Sequence, residues 1–363
     1  MVLTAAITLH HFFMENSLQK LIEDSSSILI TSHISADADA VCSSLIVRST
    51  LVANYPNKKV LVDLEEVPES LTFLPGFSTI HASPLDREVA KFQPNLIIML
   101  DANNFDRCSR VGAEKTRRYI EANDVKVAII DHHQPEGKDD VDLYIGNDSP
   151  ATTQMAYDIF FGKLKMTKPT GYAEIALLGI MNDTNRFLYD NPNHRQTFSI
   201  ISDLLDAGAS IEKLEFKLNR YTKSQLVILA ELISNTVVEE GMTYSYLGSK
   251  FRDKNLKDDS TAADLKVGCD LYLNNYVRNF ENNSWGFIVY PDIASSSGHW
   301  GFSARSVGGS VDVSKIAHKL GGGGHISAAG AKISAKTAQE ALNKAFGAIG
   351  AKSFAKITPG TNL

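Results

Sequence analysis

Side chains able to bind a metal ion or move a proton gather at three places in this sequence: His33 with Asp37 and Asp39, then Asp101, then Asp131-His132-His133. Each follows an apolar, β-branched run of strand length. Ser27 to Ser32 leads into His33, Leu96 to Leu100 into Asp101, and Val125 to Ile130 into the Asp-His-His triplet. Core packing does not call for such endings. In an open parallel α/β sheet the carboxyl ends of the strands form the crevice where ligands bind, so these segments are expected to converge. Imidazole and carboxylate donors without a cysteine suit hard or borderline divalent ions such as manganese.

The elements that must position these residues follow from periodicity. Leu18 to Glu23 reads as the end of an amphipathic helix, and Ala40 to Ala53 carries apolar residues at helical spacing just after Asp39. Lys58 to Leu64 reads as a strand, Glu65 to Glu69 as the start of a short helix, Ala113 to Asn123 as a surface helix and Asp142 to Ile145 as a short strand. The fold class expected is α/β, with a mainly parallel N-terminal sheet flanked by helices. Helices follow at Thr152 to Phe161, Ala173 to Ile180, Arg195 to Asp206 and Ile211 to Leu218. Ser224 to Val238 reads as a long helical connector. Beyond it, strands at Thr243 to Leu247, Trp285 to Tyr290 and Gly301 to Ser306 alternate with helices at Ala262 to Asn274, Val313 to Leu320 and Thr337 to Ile349, which describes a smaller α/β domain. The expected organisation is 1–220 catalytic domain, 221–240 connector, 241–350 substrate-binding domain and 351–363 flexible tail.

Bulk properties narrow the function. At 363 residues, with 44% hydrophobic and 21% charged residues, the chain describes an ordinary two-domain globular protein. A net charge of -6 argues against clamping long nucleic acid, so no long duplex is expected as a partner, while short anionic substrates fit if metal ions supply the positive charge. Cys42, Cys108 and Cys269 make neither a disulfide framework nor a zinc knuckle, and a reducing, cytoplasmic setting is the default. Met1 to Phe13 lacks the basic start of a signal peptide, and no run approaches the ~20 apolar residues of a membrane span.

Taken in order, these residues resemble the DHH phosphoesterase superfamily, and within it the nanoRNase/pAp phosphatase group with its C-terminal DHH-associated domain. His33-Ile34-Ser35-Ala36-Asp37-Ala38-Asp39 resembles the first motif, Leu100-Asp101 the second, Asp131-His132-His133 the third and Gly179-Ile180-Met181-Asn182-Asp183-Thr184 the fourth. Phe302-Ser303-Ala304-Arg305-Ser306 and Gly322-Gly323-Gly324-His325 resemble the phosphate-grasping elements of the second domain. Ala36 and Ala38 stand where the first motif usually has Pro and Gly, and Asn182 and Asn185 replace residues of the usual Thr-Asp-Thr-Gly; these departures bear on loop shape and substrate preference.

The resemblance implies two divalent ions, Mn2+ first, with Mg2+ or Co2+ as substitutes. One would be held by His33, Asp37 and Asp101, the other by Asp39, Asp101, His132 and Asp183, with Asp101 bridging. The implied reaction is phosphoester hydrolysis of short oligonucleotides or 3'-phosphoadenosine 5'-phosphate (pAp) by a water activated between the ions, with Asp101, Asp39 and His133 in catalytic roles. His133 would face the phosphate. Ser303, Arg305, His325, Arg107 and an amide nest at Gly322, Gly323 and Gly324 would bind substrate, and a homodimer is compatible with the pattern. Arg186 is a further phosphate candidate, and Phe187, Tyr189, Trp300 and Phe302 are candidates for base stacking, with core packing as the alternative. If the two domains face each other across a cleft, closure would favour short substrates. The alternatives are a cyclic or linear dinucleotide phosphodiesterase, an inorganic pyrophosphatase and a non-catalytic nucleotide sensor.

Overall fold

The computed structural model describes residues 16–133, 139–189, 193–239, 241–255, 260–293 and 298–350. The expectations about Met1 to Phe13 and about 351–363 therefore lie outside the described residues. The chain divides into two compact units, Met1–Asn219 and Arg220–Leu363.

In the first unit, helix α1 (16–24) leads to β1 (Ser27–Thr31), α2 (Ala38–Asn54), β2 (Lys59–Asp63), β3 (Ile80–His81), α3 (Leu85–Phe92) and β4 (Leu96–Leu100). There follow α4 (Phe105–Cys108), α5 (Ala113–Asn123), β5 (Lys126–Asp131) and β6 (Leu143–Gly146). All six strands are parallel, in the order β3-β2-β1-β4-β5-β6. The chain builds outward from β1 to β3, then returns to the other side of β1 at β4. That reversal makes the carboxyl ends of β1 and β4 the topological switch point, where a parallel sheet opens a crevice.

The central strands are apolar throughout because both of their faces are covered. Ile28, Ile30, Ile98, Leu100 and Ile130 join one core cluster, whereas Leu29, Ile97, Met99 and Ile129 join another. This is the period of two read in three dimensions. Helices α6 (Thr152–Tyr157), α7 (Tyr172–Asp183), α8 (His194–Asp206) and α9 (Ile211–Leu218) complete the unit, α6 running on into a π-helical turn at Asp158–Lys163. Gly179 lets α7 lie against α2 and α6, since a Cβ there would meet Thr153 Oγ1 at 2.2 Å and Cys42 Cβ at 2.9 Å.

The second unit contains α10 (Lys223–Ser234), β7 (Val237–Glu239), β8 (Met242–Tyr246), α11 (Ser249–Asn255), α12 (Ser260–Asn275), β9 (Trp285–Pro291) and β10 (His299–Ser306). It closes with α13 (Val313–Lys319), β11 (Gly323–His325), β12 (Ala328–Ser334) and α14 (Ala338–Ile349). Its sheet runs β11-β12-β10-β9-β8-β7, with only β8 and β9 parallel. Phe287, Val289, Phe302 and Ala304 pack with residues of α13 and α14, while Ile288 faces α10 and α12.

Several expectations change here. The helix expected at Ser224 to Val238 stops at Ser234, and β-branched Val237 and Val238 instead pair with β8. Its Ile228 and Leu232 are buried in the core of the second unit. Glu65 to Glu69 does not open a helix; only a 3-10 turn, Glu69–Leu71, forms after Pro68. Trp300 and Phe302, each 1% exposed, are core residues and present no stacking face. Among the described residues, no helix is long and apolar enough to cross a membrane.

Candidate metal centre

The first donor loop leaves β1 at Thr31 and enters α2 at Ala38. Its shape is imposed by a left-handed Ser35 (φ 56°), whose hydroxyl donates to Glu66 Oε2 at 2.6 Å. The Ala36 N–H donates to the Glu66 carbonyl, the Ile34 N–H donates to the Arg107 carbonyl, and Arg110 pairs with the Glu66 carboxylate. Glu66, three residues beyond β2, therefore braces the loop. Asp37 is the N-cap of α2, its Oδ1 accepting from the N–H groups of Asp39 and Ala40.

Asp101 follows β4 in a left-handed conformation (φ 55°), unusual for a residue with a side chain, and its N–H is held by the Ile130 carbonyl of β5. Its carboxylate is 1% exposed and splits between two sets of neighbours. Oδ2 lies 3.4 Å from His33 Nε2, while Oδ1 lies 3.4 Å from His132 Nε2 and 3.3 Å from His133 Nδ1. On the first side, His33 Nε2 is also 3.9 Å from Asp37 Oδ1. On the second, His132 Nε2 is 3.3 Å from Asp183 Oδ2. Asp183 ends α7, and Asp39, fully buried in the first turn of α2, completes that side. Three donor sets result, Asp101-His132-His133, His33-Asp37-Asp101 and Asp39-His132-Asp183, each with its donor atoms within 4.8 Å of one another.

The imidazoles are oriented from behind. His33 Nδ1 sits 2.8 Å from the Ile34 carbonyl and His132 Nδ1 sits 3.1 Å from the Ser149 carbonyl. A carbonyl only accepts, so each Nδ1 carries a proton and each Nε2 is the edge turned to the carboxylates. His132 Nε2 is buried without a hydrogen-bond partner. A buried lone pair facing two carboxylate oxygens is repulsive unless a proton or a cation lies between them. The donor set fits divalent cations on that ground.

Electrostatics lead to the same place. Burial, then the charges of Asp183 and Asp101, pushes Asp39 well above the usual carboxylate range, and the same causes raise Asp37. Burial would also raise Asp101, but the imidazoles of His132, His133 and His33 around it outweigh burial and hold Asp101 well below that range. Burial opposes protonation of His132, yet the Asp101 and Asp183 carboxylates push it up to about 11. Hydrogen bonds to Asp101 and Asp131 push His133 up to about 9. Without cations the cluster stays together only by taking up protons.

The six expected ligands, His33, Asp37, Asp39, Asp101, His132 and Asp183, come together in the first unit with His133, which was expected to face the phosphate. Arg107 joins them through its backbone at Ile34, and its guanidinium makes no hydrogen bond or ion pair among the described residues. Arg186 does not stay free for phosphate: its Nε donates to both Glu215 oxygens, at 2.8 and 2.9 Å. Sequence reasoning missed Glu66, the Ser149 carbonyl, and Thr152 and Thr153, whose N–H groups donate to Asp39. Asp131 was legible only as the first letter of its triplet; buried at the end of β5, it accepts from His133.

In the second unit, Arg305 of β10 and His325 of β11 both register with Ala328 of β12. Residues directly opposite one another share a face, so both project on the same side of the sheet with only a methyl group between their rows. Ser303 lies two residues from Arg305 on that face, its hydroxyl 3.3 Å from Tyr290 OH. Arg305 Nε donates to Asn274 Oδ1 at 3.3 Å, and its guanidinium lies 3.8 Å from Asp270. Part of the glycine run is already bonded within the unit. The N–H groups of Gly321 and Gly322 donate to the His318 and Ala317 carbonyls, and Gly323 and Gly324 belong to β11. A Cβ at Gly322 would stand 2.1 Å from the Gly330 carbonyl, so glycine here lets β11 close onto β12.

Comparison with known proteins matches residues 27–180 to the DHH family, N-terminal domain, and residues 273–351 to the DHHA1 domain. Over 322 residues the chain is 26% identical to the bifunctional oligoribonuclease and PAP phosphatase NrnA of Mycoplasma pneumoniae, covering 87% of this chain and 90% of that protein. The Bacillus subtilis protein of that name is 25% identical, over 88% and 93% of the two chains. The cyclic-di-AMP phosphodiesterase GdpP of Geobacillus thermodenitrificans is 26% identical over 90% of this chain, which spans 48% of that protein. Among solved structures, an exopolyphosphatase-related protein from Bacteroides fragilis superposes with a TM-score of 0.75 at 24% identity, over 93% of this chain and 95% of that one, which places the fold.

Proposed function

We propose that this chain, which belongs to the DHH family of phosphoesterases and is a metal-dependent phosphoric ester hydrolase, acts on short oligonucleotides and on pAp. One observation carries the reading: the Asp101 carboxylate divides its oxygens between His33 and His132, each of which turns its Nε2 edge toward it. Divalent ions held there would supply Lewis acidity, charge neutralisation and an activated water. His33, Asp37 and Asp101 would hold one ion, and Asp39, Asp101, His132 and Asp183 the other. Manganese suits this mixture of imidazole and carboxylate donors, and magnesium or cobalt would substitute less well or equally depending on the donors' flexibility.

The protein's own groups do the rest. His133 is fixed through Nδ1 by Asp131, so its Nε2 is the edge available to donate a proton to a phosphoryl or leaving oxygen. Arg305, His325 and Ser303 form a second polar group on one sheet face, and we assign them the grip on substrate phosphate, with Arg305 offering a planar fork. Arg107, whose backbone carbonyl holds the His33 loop at Ile34 and whose guanidinium has no hydrogen bond or ion pair among the described residues, is a further phosphate contact in this account.

A substrate near mononucleotide or dinucleotide size is favoured over a long polymer by the net charge of -6 and by the relatives named oligoribonuclease and PAP phosphatase, which span most of the chain. The GdpP match keeps a cyclic dinucleotide as the second reading. The test is parallel hydrolysis of pAp, a 5'-phosphorylated ribodinucleotide, c-di-AMP and pyrophosphate by metal-free protein supplied with Mn2+. Turnover led by pAp or the dinucleotide is expected. Preference for c-di-AMP would transfer the assignment to the second reading, and cleavage of pyrophosphate alone would contradict both.

A further inference from the structure

Helix α6 begins without a cap of its own. Ala151 stands at the cap position and its side chain makes no hydrogen bond to the helix. The cap comes instead from Asp39 of α2: Oδ2 accepts the Thr152 N–H at 2.6 Å and Oδ1 accepts the Thr153 N–H at 2.8 Å. Thr152 then reaches the other way. Its hydroxyl donates to Asp101 Oδ1 at 3.1 Å, the oxygen that faces His132 and His133. One fully buried residue thus grips two carboxylates, delivered by α2 and by β4, with its backbone and its side chain.

We propose that Thr152 is a positioning residue that fixes the orientation of the Asp39 and Asp101 carboxylates toward the metal positions, an inference that rests on the metal-dependent reading above. Each Asp39 oxygen has one lone pair taken by an N–H, which leaves the other directed away from α6 for a cation. The Thr152 hydroxyl marks Asp101 Oδ1 as the oxygen of the His132 side and leaves Oδ2 to His33. Without the hydroxyl, the Asp101 carboxylate plane is free to rotate about its Cβ–Cγ bond, and its two oxygens no longer stay aimed at the His33 side and the His132 side. A buried hydroxyl costs stability unless it is bonded, so a threonine here instead of valine is explained by the bond to Asp101.

The test is calorimetric titration of Mn2+ into metal-free wild type, Thr152→Val and Thr152→Ser, with unfolding midpoints recorded for each metal-free protein. Two ions are expected in wild type. Thr152→Val should weaken binding roughly 10–100-fold, as loss of a group that orients a metal ligand typically does, and Thr152→Ser should restore it. The valine variant should also need correspondingly more Mn2+ for half-maximal activity. If Thr152→Val is unfolded, Thr152→Ala takes its place in the same titration. Wild-type affinity in the valine or alanine variant would overturn the proposal, as would an equal loss in Thr152→Ser. Failure of wild type itself to bind Mn2+ would overturn the metal reading, and this inference with it.

Discussion

Asp131 holds His133 twice through one oxygen: Oδ1 accepts the His133 backbone N–H at 3.1 Å and ring Nδ1 at 2.8 Å. The ring therefore cannot turn without breaking a buried bond, and its Nε2 edge is presented in one direction. Asp101 and Asp131 push this imidazole up to about 9, so it is a proton donor at neutral pH. As an acid, it loses its proton, and activity falls, as pH rises through its pKa.

Replacing Asp131 by asparagine removes a negative partner from His133 and lowers that pKa. The alkaline limb of the kcat profile should move to lower pH, and kcat at neutral pH should fall roughly 10–100-fold, while His133→Ala falls further and loses the limb. Steady-state kinetics across pH 6 to about 10 would read both. An unshifted limb in Asp131→Asn would remove His133 from the acid role.

Metal binding should release protons. In the metal-free protein His132 is held protonated, its value pushed up to about 11, and a metal can take Nε2 only after that proton leaves. Affinity for Mn2+ should therefore rise with pH across the neutral range. Calorimetry at pH 7 in buffers of different ionisation enthalpy should report at least one proton released for the ion that His132 binds, with Asp39, also raised, adding to it. No proton release would mean that His132 is already neutral.

Away from the metals, Asp63 at the end of β2 is 1% exposed, and its Oδ1 accepts the Ser83 hydroxyl at 2.8 Å. Burial, with the Glu88 charge and against the Ser83 hydrogen bond, pushes it up to about 6. The native state thus holds a proton that the unfolded chain releases near the ordinary value of 3.8. The stabilisation is complete below that value and is lost as pH rises through about 6. Asp63→Asn, neutral at every pH, should gain stability relative to wild type between pH ~4 and ~7.5, by up to ~3 kcal/mol. Urea unfolding of both proteins at the two pH values would show it, and a pH-independent difference would contradict it.

The second unit depends on close backbone approach. Gly322→Ala places a Cβ against the Gly330 carbonyl and should push β11 off β12, at about 1–3 kcal/mol or more. His325 would lose its register with Arg305 across Ala328. Substrate KM should rise in Gly322→Ala and in Arg305→Ala, with a smaller change in kcat, because the metal cluster lies wholly in the first unit. A selective loss of kcat with KM intact would place Arg305 in the chemistry instead.

The central strands and their donors were legible because three continuous apolar runs of strand length each end in His or Asp. Ile28, Leu29 and Ile30 alternate between two cores, so β1 announced itself, and so did β4 and β5. The β11-β12 pair did not. Its residues, Gly323, Gly324, Ala328, Ala329 and Gly330, lack the β-branched and aromatic side chains that mark strands, and their pairing is decided by close contact. The boundary at Asn235 was missed although Ser234-Asn235-Thr236 is polar, because Val237 and Val238 resume the apolar pattern at once and extend it into β7. Glu66 and Thr152 were invisible for a different reason: each acts on a donor loop distant in sequence, and nothing in local pattern encodes such a contact.

The central claim is that Asp101 serves two ions at once, and it is tested most directly by titrating Mn2+ into metal-free protein while counting bound ions by electron paramagnetic resonance and following phosphate release from pAp. Activity should appear with the second equivalent and should vanish, with loss of bound manganese, in Asp101→Ala. Full turnover with one ion bound, or in excess chelator, would contradict the account.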